Sequence, residues 1–275
     1  MKNHVALSLA AGTLLTASAS SLCAQEYHPY LTDTFHVSGG AYISKSDFKF
    51  RADGTIPGDE IDFDEALGVD DSHTTPSLTF RWNFGEKWSF WGQGWKTDSS
   101  GTAILTEDVN WEDLTFREGS NVTAGVDTSI ARLFFGRKFH TGPQHEFGAG
   151  LGLHWIKISA YIEGEAFIDD ETSGFQRGSV DASAPLPNIG AWFYYSPASR
   201  WLLKARVDWL SANIGDYSGG LWNVSAGVNF QFTEHFGLEL DYQFFQLNVD
   251  VDDSDWNGSA KASTSGPFVA LTASW

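Results

Sequence analysis

The residues best suited to acid–base chemistry in this chain lie in segments where apolar and polar residues alternate. His154 is expected to point inward in mid-strand, and Asp208 and Asp241 are carboxylates that a closed sheet could bring beside it. A histidine with carboxylates can transfer protons near neutral pH. The same inner surface is expected to carry Lys204, Arg206 and Glu239. No motif fixes a nucleophile beside His154, so we expect structural ion pairs more than catalysis.

A second set of candidates is a short acidic run near the C-terminus. Asp253, Asp255 and Asn257, followed by Gly258, match the first six positions of an EF-hand loop, in which alternate oxygens bind Ca²⁺. Position nine is Lys261 and the glutamate of position twelve is missing. We therefore expect an acidic hairpin and no cofactor, with Ca²⁺ at the acidic loops as the alternative.

Ten segments have the two-residue alternation of strands. They are residues 35–51, 74–84, 88–98, 122–139, 145–165, 187–195, 201–213, 221–232, 236–250 and 263–275. Short connections at 85–87, 140–144, 196–200 and 233–235 alternate with longer ones at 52–73, 99–121, 166–186, 214–220 and 251–262. This alternation is typical of transmembrane barrels. It predicts an all-β, closed, antiparallel up-and-down barrel of ten strands, with eight or twelve as alternatives.

Aromatic residues mark one end of these strands. They flank the short turns and close the last strand: Phe84, Trp88, Phe139, Phe147, Tyr195, Trp201, Phe232, Phe236 and Trp275. Such a girdle is typical of a membrane interface. Along residues 201–209 the odd positions are apolar, while Lys204, Arg206 and Asp208 alternate with them. The pattern predicts apolar side chains toward lipid and polar ones toward the lumen.

The negative charge is concentrated in the predicted loops. The formal net charge is −18, and the five long connections hold 21 acidic residues against three basic ones. Nucleic acid as a partner is disfavoured because phosphate binding needs a basic surface. Divalent cations or cationic ligands are favoured.

Four basic residues lie where predicted strands leave the membrane. Lys45, Lys49 and Arg51 continue the lipid face of the first strand, and Lys157 continues that of the fifth. The first cation follows about ten residues of strand, close to one bilayer crossing. We expect these side chains to contact lipopolysaccharide phosphates, with ordinary solubilising charge as the alternative.

Both ends of the chain suggest export. Residues 1–24 read as a secretory signal peptide ending Leu22-Cys23-Ala24, followed by one domain over 25–275. With this signal and the alternating turns and loops, the terminal strand Phe268–Trp275 resembles those of bacterial outer-membrane β-barrel proteins of the small OmpA-type or porin-like group. The resemblance implies that Phe268, Leu271 and Trp275 are read by the barrel-assembly machinery. Ten strands also occur in omptin proteases, but no motif carries their catalytic residues onto this chain.

The sequence thus predicts a protein exported through the Sec pathway to the outer membrane of a Gram-negative bacterium. Its lumen is expected to be largely filled by paired side chains. The expected role is in envelope integrity, or in binding cations or lipopolysaccharide. A narrow channel for small or cationic solutes is the second alternative, and an outer-membrane hydrolase is the third.

Overall fold

The computed structural model describes residues 27–54, 58–168, 171–215, 217–252 and 257–275. The predicted signal peptide lies outside them. Within them the elements are α1 Pro29–Thr32, β1 Phe35–Ala52, β2 Ile61–Asp62, β3 Ser72–Phe84, β4 Trp88–Ile104, β5 Val109–Trp111, β6 Leu114–Phe116, β7 Asn121–Thr141, β8 His145–Ile168, β9 Glu171–Ala198, β10 Trp201–Ile214, β11 Tyr217–Gln231, β12 Phe236–Asp252 and β13 Asn257–Ser274. In this part of the chain no helix has the length and apolar character needed to cross a membrane.

Ten long strands form a closed antiparallel ring. Each pairs with the next long strand along the chain, and β13 closes the ring on β1 through pairs such as Phe268 with Tyr42. The predicted ten-stranded barrel is confirmed. The three short strands β2, β5 and β6 lie in the connections. We call the end with the short turns the turn end, and the opposite end the hairpin end.

The strands are longer than the sequence predicted. Residues 166–186 were expected to form a loop, but β8 and β9 pair continuously as far as Ala166 and Gly174. That prediction is wrong because the Ser, Gly and Asp of this segment weaken the local strand pattern, while the ladder to β8 holds it extended. Strand β13 likewise begins at Asn257, inside the predicted loop 251–262.

The predicted orientation of the side chains is confirmed. On β10, Trp201, Leu203 and Trp209 are exposed on the outer surface, whereas Asp208 is fully buried inside. On β12, Leu238, Leu240, Tyr242 and Phe244 point outward, and Glu239, Asp241 and Gln243 are buried. The aromatic residues beside the short turns also point outward.

Partway along the strands this pattern inverts. On β8 the outward residue changes from Trp155 to Lys157, and the inward residue from His154 to Ile156. On β10 the outward side chain changes from Trp209 to Ser211, and the inward one from Asp208 to Leu210. On β12 the outward side chain changes from Phe244 to Gln246, and the inward one from Gln243 to Phe245. The turn-end half is apolar outside, and inside it combines charged and polar side chains with a small aromatic cluster around Trp91 and Trp192. The hairpin-end half is polar outside and apolar inside.

Prolines divide the wall of the hairpin-end half. Pairing between β9 and β10 ends at Ile189 with Trp209, just before Pro187 and Pro185. Pairing between β3 and β4 ends at Ser77 with Trp95, next to Pro76. Proline has no N–H to donate to a neighbouring strand. Beyond these two seams the strands form two facing sheets, β4–β7–β8–β9 and β10–β11–β12–β13–β1–β3, which we call the two-sheet head.

The head encloses an apolar core that includes parts of the connections. Phe63 and Leu67 from the β2 region, and Trp111 and Phe116 from the β5–β6 hairpin, have no exposed surface. They pack with inward side chains of both sheets. The connections therefore fold into the head and close it.

Candidate functional site in the lumen and on the outer surface

The turn end of the lumen is closed by the N-terminal segment. Helix α1 inserts Tyr30, which is 7% exposed and packs edge-on against Tyr194 at 5.2 Å between ring centroids. Arg81 donates from Nη1 to the Tyr30 carbonyl oxygen at 3.1 Å. Pro29 starts the helix, and the Tyr30 N–H donates to Nδ1 of His28 at 3.1 Å. Sequence reasoning missed this plug, although proline at a first helical position was a usable indication.

Next to the plug lies a buried ionic cluster. Arg81 forms an ion pair with Glu146, and Lys138 Nζ lies 3.2 Å from the other oxygen of that carboxylate. Trp192 donates from Nε1 to Glu146 at 2.6 Å. One carboxylate thus holds two cations and an indole at the turn end of the lumen.

Two further ionic groups fill the next level. Lys204 Nζ lies 2.6 Å from Glu239 and 3.0 Å from Asp241. Asp208 is paired with Arg132 and, at 3.4 Å, with Arg206. The expectation that inward charges satisfy one another is confirmed for these groups.

His154 lies in the lumen, where the sequence placed it, but away from the predicted carboxylates. Its Nδ1 is 3.0 Å from Asn188 Oδ1, and its Nε2 is 3.2 Å from Asn223 Nδ2. These contacts fit a neutral imidazole that donates from Nδ1 and accepts at Nε2. Asp208 and Asp241 are engaged by arginine and lysine instead. Neither of them forms a hydrogen bond with His154 in the described part of the chain.

A small space is left in the lumen at the level of the ionic groups. A cavity of about 50 Å³ lies between Tyr30, Arg132, Lys204 and Asp241. It has room for only a few water molecules. Beyond it, the level of His154 and then the apolar core of the head close the lumen toward the hairpin end.

One hydroxyl–imidazole pair was not foreseen from the sequence. Ser99 Oγ lies 3.0 Å from His73 Nε2, across the seam between β3 and β4. The two residues would be opposite each other if the ladder continued past Pro76. The side-chain hydrogen bond therefore links two strands whose backbones no longer pair.

The four predicted lipopolysaccharide contacts differ in their surroundings. Lys45 forms an ion pair with Asp71 at 2.7 Å, and the hydrogen bond to Asp71 raises the pKa of Lys45. Lys49 is paired with Asp62, and Arg51 Nε lies 3.2 Å from Asp53. Lys157 is exposed, and no carboxylate of the described residues lies within ion-pair distance of it.

The hairpin end carries Asn257, one of the predicted Ca²⁺ candidates, and a separate group of acidic side chains. Asp253 and Asp255 lie outside the described residues, and the carbonyl oxygen of Asn257 accepts a hydrogen bond from the Asp53 N–H at 2.8 Å. A carboxylate group that sequence reasoning did not select consists of Asp47, Asp62 and Asp64, with ligand oxygens within 4.8 Å of one another. A hydrogen bond to Asp62, together with burial, raises the pKa of Asp64 to about 6.

The three C-terminal residues expected to direct assembly lie on opposite faces of β13. Phe268 is buried in the lumen, whereas Leu271 and Trp275 are exposed on the outer surface. The Trp275 carbonyl oxygen accepts hydrogen bonds from the N–H groups of Thr34 and Phe35 at 3.1 and 2.9 Å. The last residue thereby fastens the two ends of the described chain together.

No protein-family model matches the chain, and no curated protein matches it. Among solved structures, the outer-membrane protease OmpT of Escherichia coli superposes with a TM-score of 0.55 at 9% identity, over 88% of this chain and 97% of OmpT. The toluene transporter TodX of P. putida is a weaker match, with a TM-score of 0.39 at 9% identity, over 90% of this chain and 91% of TodX. The attachment invasion locus protein Ail of Yersinia pestis has a TM-score of 0.33 at 10% identity, over 87% of this chain and 99% of Ail. At such identity the likeness to OmpT transfers no activity. The chain has the fold of a bacterial outer-membrane β-barrel protein.

Proposed function

We propose that this protein is a closed, non-conducting barrel of the Gram-negative outer membrane, which acts at the cell surface through its two-sheet head. The inversion of polarity along β8, β10 and β12 supports this placement. A surface that is apolar outside suits lipid, and one that is polar outside suits water. The boundary would then run near Trp155, Trp209 and Phe244, with the turn end in the periplasm and the head outside.

The observation that carries the proposal is the filled lumen. Tyr30, the ionic clusters around Glu146 and Asp208, and the apolar core of the head follow one another along the axis. Opening a pore would require ion pairs and a packed core to separate. A channel for small solutes is therefore the less favoured function. A hydrolase centred on His154 is also disfavoured, because two asparagines occupy both of its ring nitrogens.

Planar-bilayer recordings of the folded protein test the proposal. We expect no stable conductance steps, both in wild type and in Tyr30→Ala, since removing the plug leaves the head closed. Stable steps in wild type would refute the proposal. Steps only in Tyr30→Ala would show that the head is open and that Tyr30 alone closes the lumen.

We further propose that the outer surface binds lipopolysaccharide, chiefly through Lys157. This residue follows Trp155 on the outward face of β8, at the boundary inferred above. Lys45, Lys49 and Arg51 each have a carboxylate of this chain beside them, which reduces their attraction for a phosphate.

The matched variants Lys157→Gln and Lys45→Gln separate these contributions. We expect lipopolysaccharide co-purification to fall several-fold in Lys157→Gln and to change little in Lys45→Gln, because the latter removes a charge that Asp71 already balances. Equal retention in wild type and Lys157→Gln would exclude this binding site, without bearing on the closed lumen.

A further inference from the structure

In the longest hairpin of the barrel, part of one strand edge is not paired with any described strand. Strand β9 pairs with β8 along its length, but with β10 only from Ala198 to Ile189. No strand of the described residues pairs with its other side beyond Ile189. We call residues 175–183 the β9 edge. It belongs to the two-sheet head and contains no proline.

The ladder shows which backbone groups face outward from this edge. The Ser196 N–H donates to the Gln144 carbonyl oxygen, and the register between β8 and β9 is constant from there to Gly174. Even-numbered residues of β9 therefore bond to β8, and odd-numbered residues face the other side. Pro185 and Pro187 are odd, so the edge lacks donors near the barrel wall. Beyond them, the odd residues from Phe175 to Ser183 present N–H and C=O groups that no strand of the described residues pairs with.

We propose that the β9 edge binds the same edge of a second copy of this protein, in antiparallel orientation and centred on Ser179. An unpaired edge with regular donors and acceptors is a template for another strand. Antiparallel pairing about Ser179 would form about ten backbone hydrogen bonds, two for each odd-numbered pair.

Charge complementarity selects a second copy as the occupant. In this register Arg177 of each copy lies opposite Asp181 of the other, on the outer face of the sheet. Within its own chain Arg177 donates from Nη1 to Glu163 at 3.1 Å, and the guanidinium has further N–H groups that can reach Asp181. Opposite charges at directly facing positions stabilise an antiparallel pair, and like charges destabilise it. If the pairing were instead centred on residue 178 or on residue 180, Arg177 would lie opposite Ser179 or Ser183, and the charge pair would be lost. The side chain of Phe175, which is 70% exposed, would become partly buried against the second copy.

The orientation determines where the two copies come from. In one membrane every β9 runs from the outside inward, so two copies cannot align antiparallel. Copies in two facing membranes can. Ser179 is ten residues beyond Ile189, which places it roughly 25 Å above the membrane boundary for a tilted strand. The inferred contact therefore joins neighbouring cells, and it depends on the outside location of the head in the proposed function.

Clustering of vesicles tests this contact. Phosphatidylcholine vesicles without lipopolysaccharide, carrying the protein with its head outward, would be prepared in two fluorescent colours. We expect wild-type vesicles to form mixed clusters. Arg177→Asp vesicles and Asp181→Arg vesicles should each lose clustering at least tenfold, because each variant places like charges opposite one another. Mixed together, these two should cluster again, since both charge pairs are restored.

Two further variants complete the experiment. Ser179→Pro should fold normally but abolish clustering, because the Ser179 N–H faces the free edge and is not used within the barrel. Asp250→Arg, a charge reversal at an exposed position of β12 in the other sheet, should cluster like wild type. Dispersed wild-type vesicles, or equal clustering of wild type, Arg177→Asp and Ser179→Pro, would overturn the proposal. Clustering by a conducting barrel would refute the closed lumen but leave the edge contact standing.

Discussion

Replacement of Glu146 by glutamine tests whether the lumen is dry and closed. Glu146 is 2% exposed and balances Arg81 and Lys138, while glutamine keeps its shape and can still accept the Trp192 hydrogen bond. The variant leaves two buried cations without a carboxylate. Breaking a buried pair in this way destabilises a protein by about 3–5 kcal/mol. We expect that loss in the free energy of unfolding by urea in lipid vesicles, measured by tryptophan fluorescence.

Glu163→Gln is the matched control. It also removes a glutamate from an arginine, at 3.1 Å from Arg177, but on the exposed surface of the head. The expected loss is below about 1 kcal/mol. If the two variants lost similar free energy, water would be reaching Arg81 and Lys138, and the reasoning for a filled lumen would be wrong. Replacing Arg81, Lys138 and Glu146 together by apolar residues should recover most of the stability, because no buried charge then remains unpaired.

Two other predictions concern the ends of the barrel. Deleting Trp275 should lower the fraction of folded, heat-modifiable protein on gels, because the deletion removes the carbonyl oxygen that accepts hydrogen bonds from Thr34 and Phe35. The control Trp275→Phe keeps that carbonyl and an aromatic ring, and it should fold normally. At the hairpin end, the pKa of Asp64 is raised to about 6 from an ordinary value of 3.8. Protonation therefore stabilises residues 61–67, and this stability is lost as the pH rises through 6. Protease cleavage there should be faster at about pH 7 than at about pH 5 in wild type, and equal at both in Asp64→Asn.

The barrel itself could be predicted because its determinants are local. Period-two alternation, short turns and outward aromatics are each readable within a few residues, and they gave the strand number and the side-chain faces. The continuation of β9 through residues 171–186 could not be read in this way, because its partner in β8 supplies the hydrogen bonds. One indication was nevertheless present. Val180, Ala182, Ala184 and Leu186 share one parity, and the structure places them on the inner face.

The lumen was predicted less completely than the wall. The alternation of inward and outward positions along each strand placed His154, Asp208 and Asp241 inside. That alternation does not show which inward side chains meet across the barrel. The contacts of His154 with Asn188 and Asn223 depend on three strands and their relative stagger. The change from His154 to Ile156 inside, with Trp155 and Lys157 outside, was visible in the sequence as a shift in the phase of the apolar residues.

The number of strands explains why the inward side chains of the barrel strands do not fill the interior by themselves, in the turn-end half or in the hairpin-end half. Eight strands make an interior that side chains can just fill, so ten strands leave extra width. At the turn end that width is occupied by Tyr30 from α1 and by long residues such as Arg81 and Arg132, which then require carboxylates. At the hairpin end, strand pairing stops beside the prolines at 76, 185 and 187, so that the barrel wall divides into two sheets. Phe63 and Trp111 fill the space between these sheets. The β9 edge begins at the same prolines, because the described pairing of β9 with β10 ends beside Pro187.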